Sequence, residues 1–220
     1  MLLALAEPSA AQELVSFPAE DGGVVYADLY GAGERGVVLA HGGRFNKGSW
    51  EKQARELAKA GFRVLAIDFR GYGKSRGPGD ADPMSAPLYL DVLAAVRYLR
   101  KMGAKTVSVI GGSMGGGAAA DAAIATPGEI ERLVLLGSEA GTGRVGPPEK
   151  LKGRKLFIVA RDDTRGDGVV RLVRIRAQYE NTPGPKELVI LDGSAHAQFL
   201  FESGQAERVM REILRFLAAT

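Results

Sequence analysis

Val107-Ser108-Val109-Ile110-Gly111-Gly112-Ser113-Met114-Gly115, followed by an alanine-rich run to Ala125, is the stretch on which the fold turns. Four β-rich apolar residues run into a glycine-flanked serine, and the helix-patterned run behind it stops before Pro127. The order is strand, sharp turn, helix. A G-x-S-x-G pattern in that setting needs small residues on both sides of the serine, because the turn is tight. The hydroxyl then stands above the end of the strand. It lies beside a helix N-terminus, whose N–H groups and dipole stabilise negative charge.

Outward from this stretch, similar apolar runs recur at Val37 to Ala40, Val64 to Ile67, Leu133 to Leu136, Leu156 to Val159 and Leu188 to Leu191. Near-continuous apolar runs mark strands covered on both faces, hence a mostly parallel sheet. Helical patterns are expected between them over Ser49 to Ala60, with Ser49 as N-cap, and over Ser85 to Met102, with Pro87 in the first turn. Others are expected over Ser113 to Ala125, Gly168 to Tyr179 and Gln205 to Leu217. Ahead of these, Glu13 to Pro18 and Val24 to Tyr30 flank the turn residues Asp21-Gly22-Gly23 and predict a hairpin. Alternating β and α elements make a doubly wound α/β sheet.

In such sheets reactive groups gather at the carboxyl ends of the strands. Those ends carry His41-Gly42-Gly43, then Asp68-Phe69-Arg70-Gly71-Tyr72-Gly73-Lys74-Ser75, then Ser113, then Asp162 and Asp163, and last His196. A serine nucleophile needs a base, and imidazole titrates near neutrality. His196 follows the last strand, Ser113 a central one, and an acid follows the strand between them. Serine, acid, histidine is the chain order of an α/β-hydrolase triad.

On these residues the sequence resembles the α/β-hydrolase superfamily from about Val24 to Leu217, especially its small dienelactone-hydrolase-like and esterase branches. Dienelactone hydrolases usually carry a cysteine where Ser113 stands, so their particular substrate is not implied. The resemblance implies an α/β-hydrolase fold with a mostly parallel sheet, an N-terminal antiparallel hairpin and no lid domain. Only Ser138 to Arg154, rich in Gly and Pro, occupies the place of a lid. Ser113 would be nucleophile and His196 base. The family's Gly-x-x-Asp spacing, met by Ala160-Arg161-Asp162-Asp163, points to Asp163 as the acid, with Asp162 and Asp167 as rivals. His41 would shape the oxyanion loop rather than carry protons. The backbone N–H groups of Gly43 and Met114 would hold the oxyanion, with Arg44 an alternative on the first loop. The expected chemistry is hydrolysis of a small carboxylic ester through an acyl-enzyme. A thioester, lactone or short peptide is the alternative substrate, and a non-catalytic binding module on the same fold is the alternative class. No metal or organic cofactor is implied. Phe45, Trp50, Phe69, Tyr72, Met114 and Phe199 are candidates for an apolar wall at the site, with ordinary core packing the competing role for each.

Composition removes other classes. The 220 residues carry a net charge of +3 and no cysteine. That excludes disulfides, thiolate nucleophiles and Cys-based zinc sites. No apolar run approaches the ~20 residues of a membrane span. Arg171, Arg174 and Arg176 are the densest basic stretch and read as a solvated helix face; without interleaved aromatics they do not predict nucleic-acid binding. Gly73-Lys74-Ser75 ends like a phosphate loop, but Asp68 stands where the earlier glycine is required. Gly115-x-Gly117-x-x-Ala120, with Glu139 further on, fits a loose dinucleotide fingerprint, yet it begins inside the expected helix rather than at the strand end. Residues 1–12 read as an N-terminal arm or signal-peptide remnant. Their apolar start and the Ser9-Ala10-Ala11 stretch favour export, although a charged n-region is missing. Residues 13–220 read as one domain.

Overall fold

A computed structural model of the protein describes residues 12–219. The arm or signal-peptide remnant expected over residues 1–12 therefore lies outside the described residues, Gln12 excepted. Eight strands are present among the described residues: β1 (Glu13–Pro18), β2 (Val24–Tyr30), β3 (Arg35–Ala40), β4 (Phe62–Ile67), β5 (Thr106–Gly112), β6 (Arg132–Leu136), β7 (Arg154–Ala160) and β8 (Lys186–Leu191). They form one sheet in the order β1-β2-β4-β3-β5-β6-β7-β8. The expected β1–β2 hairpin is there, and β2 also pairs antiparallel with β4, from Ala27 opposite Ile67 to Tyr30 opposite Val64. Every other pairing is parallel.

The apolar runs are continuous because alternate side chains enter two separate cores. In β3, Val37 and Leu39 face the side of Trp50 and Leu57, while Val38 and Ala40 face the side of Val92 and Ala119. Helices α1 (Glu51–Lys59) and α5 (Ala206–Ala218) cover the first side; α2 (Tyr89–Lys101), α3 (Met114–Ala125) and Ile175 of α4 (Arg171–Asn181) cover the second. Each large apolar side chain buried in this way contributes about 1.5–3 kcal/mol. Among the described residues no helix is long and apolar enough to cross a membrane.

Three helices start elsewhere than the sequence predicts. Ser49 does not cap α1. Instead the Asn46 side chain accepts the Gly48 N–H at 2.9 Å and opens a 3-10 turn, Lys47–Trp50, that leads into the helix. Helix α2 begins at Tyr89 rather than Ser85. Pro87 disfavours helical backbone at the residue before it. The preceding chain runs through successive turns, with Asp80 N–H donating to Gly77 O, Asp82 N–H to Gly79 O and Ser85 N–H to Asp82 O. Helix α4 begins at Arg171 rather than Gly168, because Val170 is held extended by a bridge to Thr164.

The connections set the position of the site. From β3 the chain passes through α1 to β4 on one side, then through α2 to β5 on the other side of β3. The loops after β3 and β5 therefore part from each other at a topological switch point, where doubly wound sheets open a crevice at the carboxyl ends of their strands.

Candidate active site

Ser113 sits between β5 and α3 with φ 49° and ψ −114°. A non-glycine residue in that region costs about 1–3 kcal/mol and persists only where its surroundings enforce it. Here the Ser113 N–H donates to Leu136 O at 3.0 Å, and its carbonyl accepts the Gly117 N–H at 3.0 Å and the Ser138 hydroxyl at 2.9 Å. The turn is also pressed against β3. A Cβ added to Gly115 would lie 2.3 Å from the Ala40 carbonyl oxygen. Glycine on the helix side of the serine is thus required by backbone approach.

Ser113, His196 and Asp163 form one hydrogen-bonded chain. His196 Nε2 lies 2.9 Å from Ser113 Oγ, and its Nδ1 lies 2.7 Å from Asp163 Oδ2. The Asp163 side chain is 1 % exposed and the imidazole 26 %, so the acid is enclosed while the ring reaches solvent. Gly137, at the end of β6, leaves room for this pair: a Cβ there would meet His196 Nδ1 at 3.0 Å and Asp163 Oδ2 at 3.2 Å. Ala197, next to His196, is at φ 52°; with Ser113 it makes the two non-glycine residues of positive φ among the described residues. Neither rival acid enters the chain. Asp162 is exposed, and Asp167 accepts the Val169 N–H at 3.1 Å and pairs with Arg165 at 3.4 Å.

The outer oxygen of Asp163 faces an arginine from the helix whose sequence pattern is that of a solvated face. Arg171 Nε lies 3.2 Å from Asp163 Oδ1, and the Arg171 backbone N–H donates to Asp163 O at 2.8 Å. The Nε–H is off the hydrogen-bonding line, so side-chain pairing is by charge alone. Arg174, a turn further along, pairs with Glu139 at 3.1 Å. No spacing rule links these arginines to the site; the start of α4 at Arg171 brings them there.

His41 is fully buried, and its ring takes no part in the hydrogen-bonded chain of Ser113, His196 and Asp163. Its Nδ1–H donates to Gly42 O at 2.9 Å, and its Nε2 accepts the Phe69 N–H at 3.2 Å, which fixes one neutral tautomer. Burial pushes its pKa down to about 4 from 6.5, against a smaller opposing effect of the Gly42 hydrogen bond. The unfolded chain protonates this histidine first, so the stabilisation is complete above about pH 6.5 and is lost as pH falls toward 4. The loss attributable to His41 amounts to about 3 kcal/mol. Urea unfolding of the parent and of His41→Gln at pH 7 and pH 4 checks this: the parent's advantage should shrink by that amount. An advantage independent of pH would refute it.

Beside Ser113 opens a cleft of about 530 Å³. Its walls include Met114 and Ala118 of α3, Leu88 and Met84 of the segment before α2, Val145 of the β6–β7 connection, and Ile175 of α4. Arg144 and Arg171 also line it, as do Asp121 and Glu139. Asp121 is buried on α3, and its carboxylate accepts the Thr142 N–H at 3.0 Å and the Thr142 hydroxyl. Burial raises its pKa. The β6–β7 connection carries only a 3-10 turn, Pro148–Lys150. Of the residues expected to form an apolar wall, Met114 lines the cleft, whereas Trp50 and Phe69 are core residues with no exposure. Phe45 and Phe199 pack on each other edge to face at 4.9 Å. Tyr72 plays a polar role, its hydroxyl donating to Gly43 O at 2.9 Å. Gln198, a further residue that sequence reading missed, accepts the Gly42 N–H at 3.0 Å.

Residues 36–201 match the family described as alpha/beta hydrolase fold, and the chain belongs to that family. It is 35% identical over 136 residues to a 2-hydroxy-6-oxononadienedioate/2-hydroxy-6-oxononatrienedioate hydrolase of Cupriavidus pinatubonensis, a match covering 60% of this chain and 46% of that protein. The chain thus spans about half the length of this curated relative. Among solved structures, an esterase of Pyrococcus furiosus superposes with a TM-score of 0.77 at 20% identity, covering 99% of this chain and 98% of the other. A dienelactone hydrolase of Anabaena variabilis superposes with a TM-score of 0.75 at 21% identity, covering 94% of this chain and 97% of the other.

Proposed function

We propose that the protein is a serine hydrolase that cleaves small carboxylic esters through an acyl-enzyme, with Ser113 as nucleophile, His196 as base and Asp163 as the orienting acid. The observation that carries this reading is the hydrogen-bonded chain from Ser113 through His196 to Asp163 at the carboxyl ends of β5, β8 and β7. Its support extends to the strained turn at Ser113 and to the cleft beside it, which has room for an acyl group. The esterase and the dienelactone hydrolase that share the fold are consistent with it.

In the first half-reaction Ser113 Oγ attacks the ester carbonyl carbon while His196 Nε2 takes its proton. The carbonyl oxygen becomes an oxyanion that accepts the Gly43 and Met114 N–H groups. Loss of one such donor costs about 3–4 kcal/mol of transition-state stabilisation. As the carbon–oxygen bond to the alcohol breaks, His196 returns the proton to the departing oxygen. Water then attacks the acyl carbon and gives a proton to His196; the acid leaves, and that proton goes back to Ser113 Oγ. Throughout, Asp163 accepts the Nδ1–H bond and keeps the ring in the tautomer whose Nε2 is free to take a proton.

A fluorophosphonate probe with peptide mapping, alongside a panel of p-nitrophenyl esters, an aryl thioester, a lactone and a dipeptide amide, tests the proposal. Stoichiometric labelling of Ser113 with turnover of the oxygen esters is the expected result. A folded protein that takes no label and leaves every compound intact would show a binding module instead. Faster turnover of thioester, lactone or amide than of every ester would replace the substrate class.

A further inference from the structure

Gln198 lies two residues after His196, in a 3-10 turn Ala197–Glu202, and is 3 % exposed. Its side-chain amide joins three segments. Oε1 accepts the Gly42 N–H at 3.0 Å, and Nε2 donates to Ser49 Oγ at 3.1 Å. A Cβ on Gly112 would lie 2.5 Å from Oε1, so the amide occupies space left open immediately before Ser113. The orientation of the amide is fixed by chemistry, since a backbone N–H can only be met by the oxygen.

Three consecutive peptide groups of the β3 loop are anchored by different partners. Gln198 holds the 41–42 peptide through the Gly42 N–H. The 42–43 peptide is held through the Gly42 carbonyl, which accepts His41 Nδ1–H at 2.9 Å and the Phe45 N–H at 3.0 Å. The 43–44 peptide is held through the Gly43 carbonyl, which accepts the Tyr72 hydroxyl at 2.9 Å. Between these anchors the Gly43 N–H has no acceptor among the described residues. A peptide plane is rigid, so fixing its carbonyl and both neighbouring planes fixes where this N–H points. Only the Gln198 anchor comes from the turn that carries His196.

We infer that Gln198 is a positioning residue: it aims the Gly43 N–H at the oxyanion formed on Ser113 and ties that donor to the turn of His196. This rests on the acyl-transfer reading. A donor aimed at a developing charge acts on the transition state more than on bound substrate. Its loss should therefore appear in kcat and not in KM.

The test uses Gln198→Met, which fills the space without an acceptor, and Gln198→Glu, which keeps an oxygen for the Gly42 N–H. Ser49→Ala, which releases the far end of the amide without opening the loop, serves as a milder third variant should Gln198→Met fail to fold. Readouts are kcat and KM on a p-nitrophenyl ester, and the affinity of a trifluoromethyl ketone, whose hemiketal on Ser113 carries an oxyanion. Gln198→Met should lower kcat about 10–100-fold with KM within about twofold, and weaken the ketone by a matching factor. Gln198→Glu should recover to within about fivefold of the parent, and Ser49→Ala should lose about two- to fivefold in kcat alone. The inference is overturned if folded Gln198→Met keeps the parent's kcat, if Gln198→Glu and Gln198→Met lose equally, or if Ser49→Ala changes KM rather than kcat. Should the parent neither turn over esters nor take a fluorophosphonate at Ser113, the acyl-transfer reading falls first and the inference with it. Parent activity with an indifferent Gln198→Met removes the inference alone.

Discussion

Ser113→Ala should lower ester turnover on the order of 10⁵–10⁶-fold and abolish fluorophosphonate labelling, with the fold intact. The size of the effect follows from the roles proposed for Ser113 and His196. Removing Oγ takes away the atom that forms the acyl-enzyme, and His196 is left with no proton to receive. What survives is binding in the cleft and the N–H donors, which alone accelerate water attack only modestly. Alanine keeps a Cβ at φ 49°, so the backbone strain of the turn is unchanged and the unfolding midpoint should stay close to the parent's. A variant that retains more than about a hundredth of parental turnover would show that another group attacks the ester.

Asp163→Asn should cost about 10⁴-fold in kcat, while Asp162→Asn stays within about threefold of the parent. Asp163 Oδ2 accepts the His196 Nδ1–H at 2.7 Å. An asparagine amide can turn its NH₂ toward Nδ1, which drives the ring proton to Nε2, and Nε2 then cannot accept from Ser113. The substitution also leaves Arg171, 3.2 Å from the other carboxylate oxygen, beside a neutral group. Asp162 is exposed and takes no part in the chain. Equal and mild losses in the two variants would mean that the imidazole is oriented by something other than Asp163.

The sheet was readable because its inner strands, β3 to β7, are buried on both faces, which writes them as unbroken apolar runs such as Val37 to Ala40. The Ser113 turn and the positions of Asp163 and His196 were readable for a related reason: each follows such a run, and chain order does not depend on side-chain geometry. Choosing Asp163 over Asp162 needed the resemblance, because both follow β7 in a turn, where Asp163 N–H donates to Ala160 O, and a shift of one position redirects the side chain. What escaped the sequence are groups whose role depends on contacts distant along the chain. Gln198 meets Gly42 across 156 positions, and no periodicity or motif marks such a pair. Arg171 was hidden by its own context, since an arginine-rich helix face has the same pattern whether it faces water or a buried carboxylate. The late start of α2 was missed because Pro87 suits a first helical turn as well as the end of a preceding loop.

That late start has a consequence for how such a chain changes over time. The groups of the Ser113 chain ride on the ends of β5, β7 and β8, whereas much of the cleft wall is supplied by two irregular stretches, Met84 to Leu88 and Gly141 to Val145. Loops tolerate substitution and altered length far better than the strands they connect. Under the proposed function, reactivity and substrate preference are therefore carried on separate parts of the backbone. Under the proposed acyl-transfer mechanism, exchanging side chains at Met84, Leu88 or Val145 should change which acyl groups fit and leave the Ser113 chain in place. Selection can retune the diet of this protein without rebuilding its chemistry.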